Sequence, residues 1–369
     1  MLWVVLFASA LFGVPHTVCA REAGDWLRGD LAVQAPLEAG VASIVARPLS
    51  ARDFPTGSTT LDGEWVFGTY MMSAMGFGQV ALQHRERRER EIPLMTVCLD
   101  KAISAPVRRF DAAAWGDHDP LGTLGGDRDH GSYLGYLNLA LSLERLLDGG
   151  NPHAGLNDRV TAALARRLER APTLLLESYP GAVFPVDNAA VIGSIALYDR
   201  ATGADHGALI RRVLQRFRAR SVDSATGLLH QTMPRGEPRG SGTALAAYFL
   251  SWADPGLARE LVDAMKRELS GSVLGFGALR EYPSGRAGLG DADSGPLVLG
   301  FGVSATGFAL GAARAVGDGD LFSRLFPTTQ LFGAPSTSDG AMHFTTGGPI
   351  GNAILLAMLT APRVSTGNP

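Results

Sequence analysis

The chain has 369 residues, of which 46% are hydrophobic, and its 33 Lys and Arg against 36 Asp and Glu give a net charge of −3. A chain of that length and apolar content suits one large globular domain or two ordinary ones with a sizeable core. Because the charges are scattered rather than massed, we expect no nucleic-acid partner and favour an uncharged small molecule or an oligosaccharide as the substrate, with the oligomeric state left open.

The N-terminus carries an apolar stretch, residues 2–14, that has the length of a signal-peptide core and is too short for a membrane-spanning helix. Val18 to Ala20 follow as a small-residue cleavage site. We therefore predict a signal peptide over residues 1–20 and an exported protein, periplasmic or secreted. An uncleaved membrane anchor is the alternative, because no Lys or Arg precedes the apolar stretch. Cleavage would leave Cys98 as the only cysteine, which excludes an internal disulfide.

The segment from residue 21 to residue 60 is a mixed lead-in. Pro36, Pro48 and Pro55 interrupt it, which predicts irregular backbone or one short helix. From residue 61 to residue 362, apolar helices rich in small residues alternate with amphipathic helices rich in arginine, which predicts one catalytic domain. The apolar helices begin near Glu64, His130, Asp187, Gly240, Asp293 and Pro349.

Six apolar helices at near-constant spacing predict an all-α fold, an (α/α)6 toroid. Helices that are apolar on every side belong inside, so they would form a closed inner ring with about six amphipathic helices around it. We expect a short fifth outer helix around residues 320–326, and because no helix follows Thr360, the lead-in is expected to complete the outer layer. An open helical repeat array and membrane insertion of helices such as residues 297–313 are the alternatives.

Loops that precede the inner helices of a toroid surround one mouth of its cavity, so the polar residues in these loops become neighbours. Three acids there are the leading catalytic candidates: Asp187, Glu281 as proton donor, and Asp293 as a base or a group that orients the substrate. Helix capping is the simpler interpretation of Asp187 and Asp293. For Glu281, which lies in an extended segment, the simpler interpretation is a salt bridge with Arg280 or Arg286.

A second group of residues near the same mouth is predicted to bind substrate, because it combines carboxylates, aromatic rings, an amide and arginine. It comprises Glu64, Trp65, His130, Tyr133, Tyr179, Asn188, Arg239, Tyr282 and Asp291. The simpler interpretations are core packing for Trp65 and Tyr133, and a cap or an ion pair with Asp129 for His130.

The stretch GLGDADSGP, residues 288–296, places two aspartates in a glycine-rich loop. Its glycines are expected to let the loop turn tightly and bring Asp291 and Asp293 over the cavity. Two carboxylates without a matched third ligand do not define a cation site, so we predict neither a metal nor a cofactor.

Motifs of several other enzyme classes do not occur in the sequence, which has no G-x-S-x-G elbow of serine hydrolases and no phosphate-binding P-loop.

The sequence resembles linalool dehydratase/isomerase in the order and spacing of several short motifs. These are Trp115-Gly116-Asp117, Tyr133 to Leu139, Asp187-Asn188, Leu197 to Arg200 with Gly203, Asp291-Ala292-Asp293, Gly317-Asp318 and Leu321-Phe322.

That resemblance implies an (α/α)6 toroid and an exported enzyme that needs no cofactor. It places the family's catalytic histidine at Tyr136 and its two site cysteines at Phe184 and Gly193, so this chain retains none of the three. We therefore expect a substrate other than linalool, with Tyr136 as a catalytic residue that donates a proton or orients a hydroxyl group.

Three functions stay open from the sequence. The first is a lyase or isomerase, in which an acid protonates a leaving hydroxyl group and a carboxylate removes a proton from the adjacent carbon. The second is a glycoside hydrolase or sugar lyase on the same toroid, with two carboxylates flanking the scissile bond. The third is a periplasmic ligand-binding protein without catalysis.

Overall fold

The computed structural model describes residues 13–234, 236–291 and 294–363. Most of the predicted signal peptide and the catalytic candidate Asp293 lie outside the described residues. The helices are α1 (Ala23–Arg28), α2 (Leu31–Ala46), α3 (Thr59–Gln83), α4 (Arg88–Ala102), α5 (Ala105–Ala114), α6 (Gly131–Leu147), α7 (Ala154–Arg170), α8 (Pro185–Thr202), α9 (Gly207–Ser221), α10 (Gly240–Leu250), α11 (Pro255–Glu268), α12 (Val303–Val316), α13 (Gly319–Gly333) and α14 (Gly348–Leu359).

Three antiparallel hairpins interrupt the helices of the second half of the chain. Their strands are β1 (Ser270–Val273) with β2 (Phe276–Leu279), β3 (Leu297–Val298) with β4 (Phe301–Gly302), and β5 (Pro335–Ser338) with β6 (Ala341–Phe344). The first two hairpins lie side by side, since β2 contacts β4. None of these hairpins follows from the helical periodicity of the sequence.

Six helices form a closed inner ring in the order α3, α6, α8, α10, α12 and α14. Each packs against the next, and α14 packs back against α3. Helices α4, α7, α9, α11 and α13 form the outer layer, each following an inner helix along the chain. The predicted all-α (α/α)6 toroid is therefore confirmed, and the open repeat array is wrong because α14 closes on α3. Within the described residues, no helix combines the length and apolar character that a membrane span requires.

Helix α2 fills the remaining outer position, where it packs against α14, α3 and β6. The lead-in is more helical than the prolines predicted, because α2 runs for 16 residues and continues through Pro36. Asp30 caps its start by accepting a hydrogen bond from the Ala32 amide at 2.9 Å. Leu37 and Val41 are fully buried, so tertiary packing stabilises a helix that the local sequence disfavours.

The fifth repeat differs from the prediction in both of its helices. Its inner helix begins at Val303, after the β3–β4 hairpin, rather than near residue 293. The reason is a two-residue turn at Leu299 and Gly300, both with positive φ, which reverses the chain. The outer helix α13 is longer than expected at 15 residues and includes Pro327.

Candidate active site

Three polar side chains from neighbouring inner helices, and one from the segment that precedes α8, meet near the N-terminal ends of α3, α6 and α8. We call them the Glu64 cluster: Glu64, Ser132, Tyr179 and Asp187. The Tyr179 hydroxyl donates a hydrogen bond to Glu64 Oε2 at 2.7 Å, and the Ser132 hydroxyl lies 3.5 Å from Glu64 Oε1. Asp187 is buried in the first turn of α8 and is close enough to act electrostatically on Tyr179. Two carboxyl groups and a phenol thus share one end of the ring.

Asn188 holds the segment that carries Tyr179. Its side-chain oxygen accepts a hydrogen bond from the Leu176 amide at 2.8 Å, and its side-chain nitrogen donates to the carbonyls of Leu176 and Phe184 at 3.0 and 3.1 Å. A bridge between Tyr179 and Ala182 then folds the segment back toward α8. These bonds place Asn188 among the residues that position the Tyr179 segment, and substrate binding by Asn188 stays a prediction.

The electrostatics of the Glu64 cluster keep Tyr179 protonated. Burial raises the pKa of the Tyr179 hydroxyl well above its ordinary value, and the carboxylates of Glu64 and Asp187 raise it further. The hydroxyl is therefore a hydrogen-bond donor at any physiological pH, and it keeps Glu64 in the role of acceptor.

A second group, the Arg239 cluster, forms where α10 begins. Arg239 Nε donates to Glu281 Oε1 at 2.8 Å, and its terminal nitrogens make a bidentate contact with Asp291 at 2.6 and 3.1 Å. The Ser241 hydroxyl also donates to Glu281 Oε1, at 2.6 Å. Tyr282 completes the group, with its ring centroid 5.6 Å from the guanidinium carbon. Asp291 of the glycine-rich loop thus has a partner, and the pair fastens that loop to the inner ring.

The pKa values of the two carboxyl groups in the Arg239 cluster are shifted in opposite directions. Burial raises the pKa of Glu281, although Ser241 and Arg239 partly offset that rise. Burial would also raise the pKa of Asp291, but the hydrogen bonds from Arg239 and Ser294 outweigh it and lower the pKa to about 2. Glu281 is fully buried and its bonds are internal, so it connects α10 to the end of β2.

The salt bridge predicted for Glu281 exists, but with Arg239 rather than with Arg280 or Arg286. The Arg280 guanidinium lies 4.8 Å from the centroid of the Phe301 ring, and Arg286 pairs with Glu237. Sequence proximity suggested the wrong partners, because the actual partner lies 42 residues away along the chain.

His130 and Tyr133 lie inside the packed wall. His130 Nδ1 is 2.5 Å from Asp111 Oδ2, and its ring packs on Trp115 at 4.7 Å between centroids, so the expected partner Asp129 is wrong. The Tyr133 ring is fully buried, and its hydroxyl donates to the Ala102 carbonyl at 3.1 Å.

Two aromatic candidates are half-buried. Trp65 packs edge-on against Phe54, with ring centroids 6.3 Å apart. Tyr136 packs edge-on against Phe249 at 5.0 Å, one turn along α6 from Ser132. Tyr136 therefore remains close to the Glu64 cluster along its helix, whereas Trp65 follows Glu64 directly on α3.

An apolar cavity of about 670 Å³ opens between α12, α13, α14 and the first two hairpins. No side chain along its described lining is charged. Its polar atoms are the hydroxyl groups of Ser304, Thr306, Thr328, Thr329 and Thr346. Gly302 lines the cavity and packs directly against the Glu281 carboxyl group, so the Arg239 cluster lies behind the cavity wall.

Sequence reasoning missed Ser132 and Ser241, the hydroxyl donors to the two glutamates. Both occupy the first turns of inner helices, so the rule that collected the other candidates would have found them. Within residues 13–234, 236–291 and 294–363, no group of three or more His, Cys, Asp or Glu side chains could hold a metal ion.

No protein-family model matches the chain, and no curated protein matches it. Among solved structures, a GH76 alpha-mannanase from Bacteroides thetaiotaomicron is similar, with 10% sequence identity and a TM-score of 0.49. The match covers 80% of this chain and 84% of the mannanase chain. At that identity, no residue of the mannanase assigns a role to a residue of this chain.

Proposed function

We propose that the protein is an acid/base enzyme without a cofactor that removes or moves a hydroxyl group of a small uncharged substrate. Its catalytic residues would be Glu64, Asp187 and Tyr179. The observation that carries the proposal is the 2.7 Å hydrogen bond from Tyr179 to Glu64, with the Asp187 carboxyl group beside it. Two carboxyl groups in one polar cluster can act as an acid and a base in a single reaction.

The role of Glu64 rests on its hydrogen bonds. Its carboxyl oxygens are the acceptors for Tyr179 and Ser132, so we assign Glu64 the role of base. Asp187 is the proposed acid and would act in its protonated form, which the substrate-bound site must favour over the carboxylate of the free protein. Its proton would go to the leaving hydroxyl as the carbon–oxygen bond breaks, releasing water. Glu64 would take a proton from the adjacent carbon, and the electrons of that carbon–hydrogen bond would form the double bond.

This assignment moves the proton donor from Glu281 to Asp187. Glu281 is enclosed by Arg239 and Ser241 and belongs to the wall of the site. We assign Tyr136, at the position of the family's histidine, to orienting the substrate hydroxyl. We therefore expect the substrate to carry a hydroxyl group, as the substrate of the resembled family does, but to be a molecule other than linalool.

Glycoside hydrolysis is the second candidate, because the same pair of carboxyl groups could flank a glycosidic bond. Retaining enzymes hold the two groups about 5 Å apart and inverting enzymes about 6.5–9.5 Å apart, with a water in the larger gap. The half-buried rings of Trp65 and Tyr136 beside the cluster suit stacking on a sugar.

The test is a screen of the purified protein against tertiary and allylic alcohols and, in parallel, natural oligosaccharides, with products read by mass spectrometry. Loss of one water from an alcohol would identify the lyase, and shortened sugar chains would identify the glycosidase. No conversion in either panel would overturn both proposals in favour of a binding protein.

The same assay tests the residues. We expect Glu64→Gln and Asp187→Asn to lower turnover by about a hundredfold or more, and Tyr179→Phe by a smaller factor. The matched controls are Asp158→Asn and Tyr198→Phe, because these residues form a similar tyrosine–carboxylate bond of 2.9 Å on the outer surface. If folded variants of the three cluster residues keep full turnover, the assignment of catalytic residues is wrong.

A further inference from the structure

Two hairpins in this chain share the sequence Val-Leu-Gly-Phe-Gly, at residues 273–277 and 298–302. In each, the Val and the Phe pair across the hairpin and the Leu and Gly form the turn between them. The two hairpins pack together, with the Phe301 ring against Gly271. They form one rim of the apolar cavity.

Each turn holds a leucine in a conformation that leucine disfavours. Leu274 has φ 53° and Leu299 has φ 54°, and the glycine that follows each also has positive φ. Two-residue turns of this kind prefer asparagine or aspartate before the glycine, and a bulky residue there is strained. Backbone strain at two equivalent positions points to a function for the side chains.

Both leucines point into solvent, with 60% of Leu274 and 72% of Leu299 exposed. Most of the other large apolar side chains that the described structure exposes lie on the same rim. They are Val273, Val298, Val303, Leu331 and Phe332. Both leucines also line the cavity, so a molecule inside it would contact them. The outer surface of the rim would still face water, and its burial requires an apolar phase outside the protein.

The surroundings of this rim match a lipid surface. In the uncleaved chain, which is the alternative to a removed signal peptide, Pro15 lines the cavity and Val14 and Val18 beside it are 58% and 65% exposed, so the described structure begins next to the rim and the apolar residues 1–12 precede it in sequence. Two exposed arginines flank the hairpins: Arg280 lies over the Phe301 ring, and the Arg324 stem packs along Gly277. An apolar centre with arginines at its border suits acyl chains below phospholipid headgroups.

We propose that the paired Val-Leu-Gly-Phe-Gly hairpins, with Leu331 and Phe332 of α13, form a face that inserts shallowly into a phospholipid bilayer. The apolar cavity opens on this face and would take up an uncharged apolar molecule from the membrane. The docking itself does not depend on the catalytic assignment, because it uses none of the Glu64 cluster.

The first experiment places a polarity-sensitive fluorophore on one turn of the full chain. Leu299→Cys is made in a Cys19→Ser background, since Cys98 is buried and will not react. Val97→Cys is the matched control, because Val97 is 43% exposed on the outer helix α4. With vesicles of phosphatidylcholine and phosphatidylglycerol that carry nitroxide groups on their acyl chains, we expect a blue shift and quenching at position 299 and neither at position 97.

The second experiment separates docking from misfolding. Leu274→Asn with Leu299→Asn supplies the residue that these turns prefer, so Tm should stay the same or rise. Vesicle affinity measured by flotation should fall by about tenfold or more, because two apolar side chains no longer reach the lipid.

Several results would overturn the proposal. One is an asparagine variant that floats with the vesicles as well as the natural chain does. That result would mean that residues 1–12 alone attach the protein to the membrane. Another is a label at position 299 that stays in a water-like environment on vesicles. A blue shift that grows with protein concentration without vesicles would assign the face to a second copy of the chain. Binding of an apolar dye without vesicle binding would assign the cavity to a soluble ligand.

Discussion

Between α2 and α4, two fully buried carboxyl groups share one guanidinium. Arg87 donates to Glu38 Oε2 at 2.6 Å and to Glu91 Oε1 at 2.9 Å. The other oxygens of both glutamates have no hydrogen-bond partner within the described residues. Burial, with the nearby Glu38 carboxylate, raises the pKa of Glu91 to about 8. Arg87, together with the half-exposed Arg90 at 3.6 Å from Glu91, does not compensate two buried negative charges, so the raised pKa favours a protonated Glu91 at neutral pH.

This pair predicts a loss of stability with rising pH. The pKa of Glu91 is higher in the folded than in the unfolded chain, so its stabilising contribution is complete below pH about 4.5 and is lost as pH rises through about 8. The unfolding free energy of the natural chain should therefore decline by on the order of 5 kcal/mol over this pH range, and we expect Glu91→Gln to lack that decline. The exposed Glu89 on the same helix provides the control, Glu89→Gln. A decline of equal size in both variants would contradict the account.

At the residue scale, the sequence indicated which residues are charged but not how they pair. Asp187 and Glu64 were found because they begin inner helices, and the helix order alone brings such residues to one mouth. The pairing of Asp291 with Arg239 depends on the path of a glycine-rich loop, and that of His130 with Asp111 on a left-handed backbone at His130. Neither path has a periodic signal in the sequence.

At the element scale, glycines set how closely the inner helices approach. Gly193 on α8 lies against the backbone of α10, where a Cβ atom would overlap the Phe249 carbonyl oxygen. Gly135 on α6 lies against Val191 of α8 in the same way. Gly193 is also where the resemblance places a family cysteine, and the contact with α10 leaves no room for that side chain.

The close approach predicts opposite outcomes for two glycine substitutions. Gly193→Ala should lower the free energy of unfolding by about 1–3 kcal/mol, because α8 and α10 must move apart. Gly307→Ala on α12 is the matched control, since nothing lies within 4 Å of its added methyl group. That change should raise stability by up to about 1 kcal/mol through helix propensity. Denaturant titration of both variants measures the difference, and equal effects would exclude the steric account.

The hairpins show where periodicity fails at this scale. Residues 297–302 are apolar and lead into a helical pattern, so they were predicted to belong to the inner helix. The Leu-Gly turn decides otherwise, and leucine is not a residue that signals such a turn. The twin sequence at residues 273–277 is the signal that was present and went unused.

At the scale of the whole molecule, the repeat spacing was enough to predict a closed ring. What the spacing could not provide was how the two ends of the chain are joined. Arg314 on α12 joins them, because its guanidinium donates to the Trp26 carbonyl in α1, to the Ala361 carbonyl after α14 at 2.6 Å, and to Gln83 at the end of α3 at 2.8 Å. These contacts join residues that lie 47, 231 and 288 positions apart in sequence, so they have no local pattern.

Arg314 therefore tests whether the ring unfolds as one unit. In Arg314→Met, the Ala361 carbonyl loses its donor, while the Trp26 carbonyl and the Gln83 amide oxygen keep only Gly29 and Gln34, so we expect about 3 kcal/mol of destabilisation from three lost charged hydrogen bonds. Arg212→Met is the control, because Arg212 is largely exposed and its contact with Glu169 is 3.7 Å long. A closed ring should show one transition by both fluorescence and circular dichroism, shifted as a whole. An early separate transition of the lead-in, with the remainder unchanged, would mean that the ends are only loosely coupled and that the repeats unfold as in an open array.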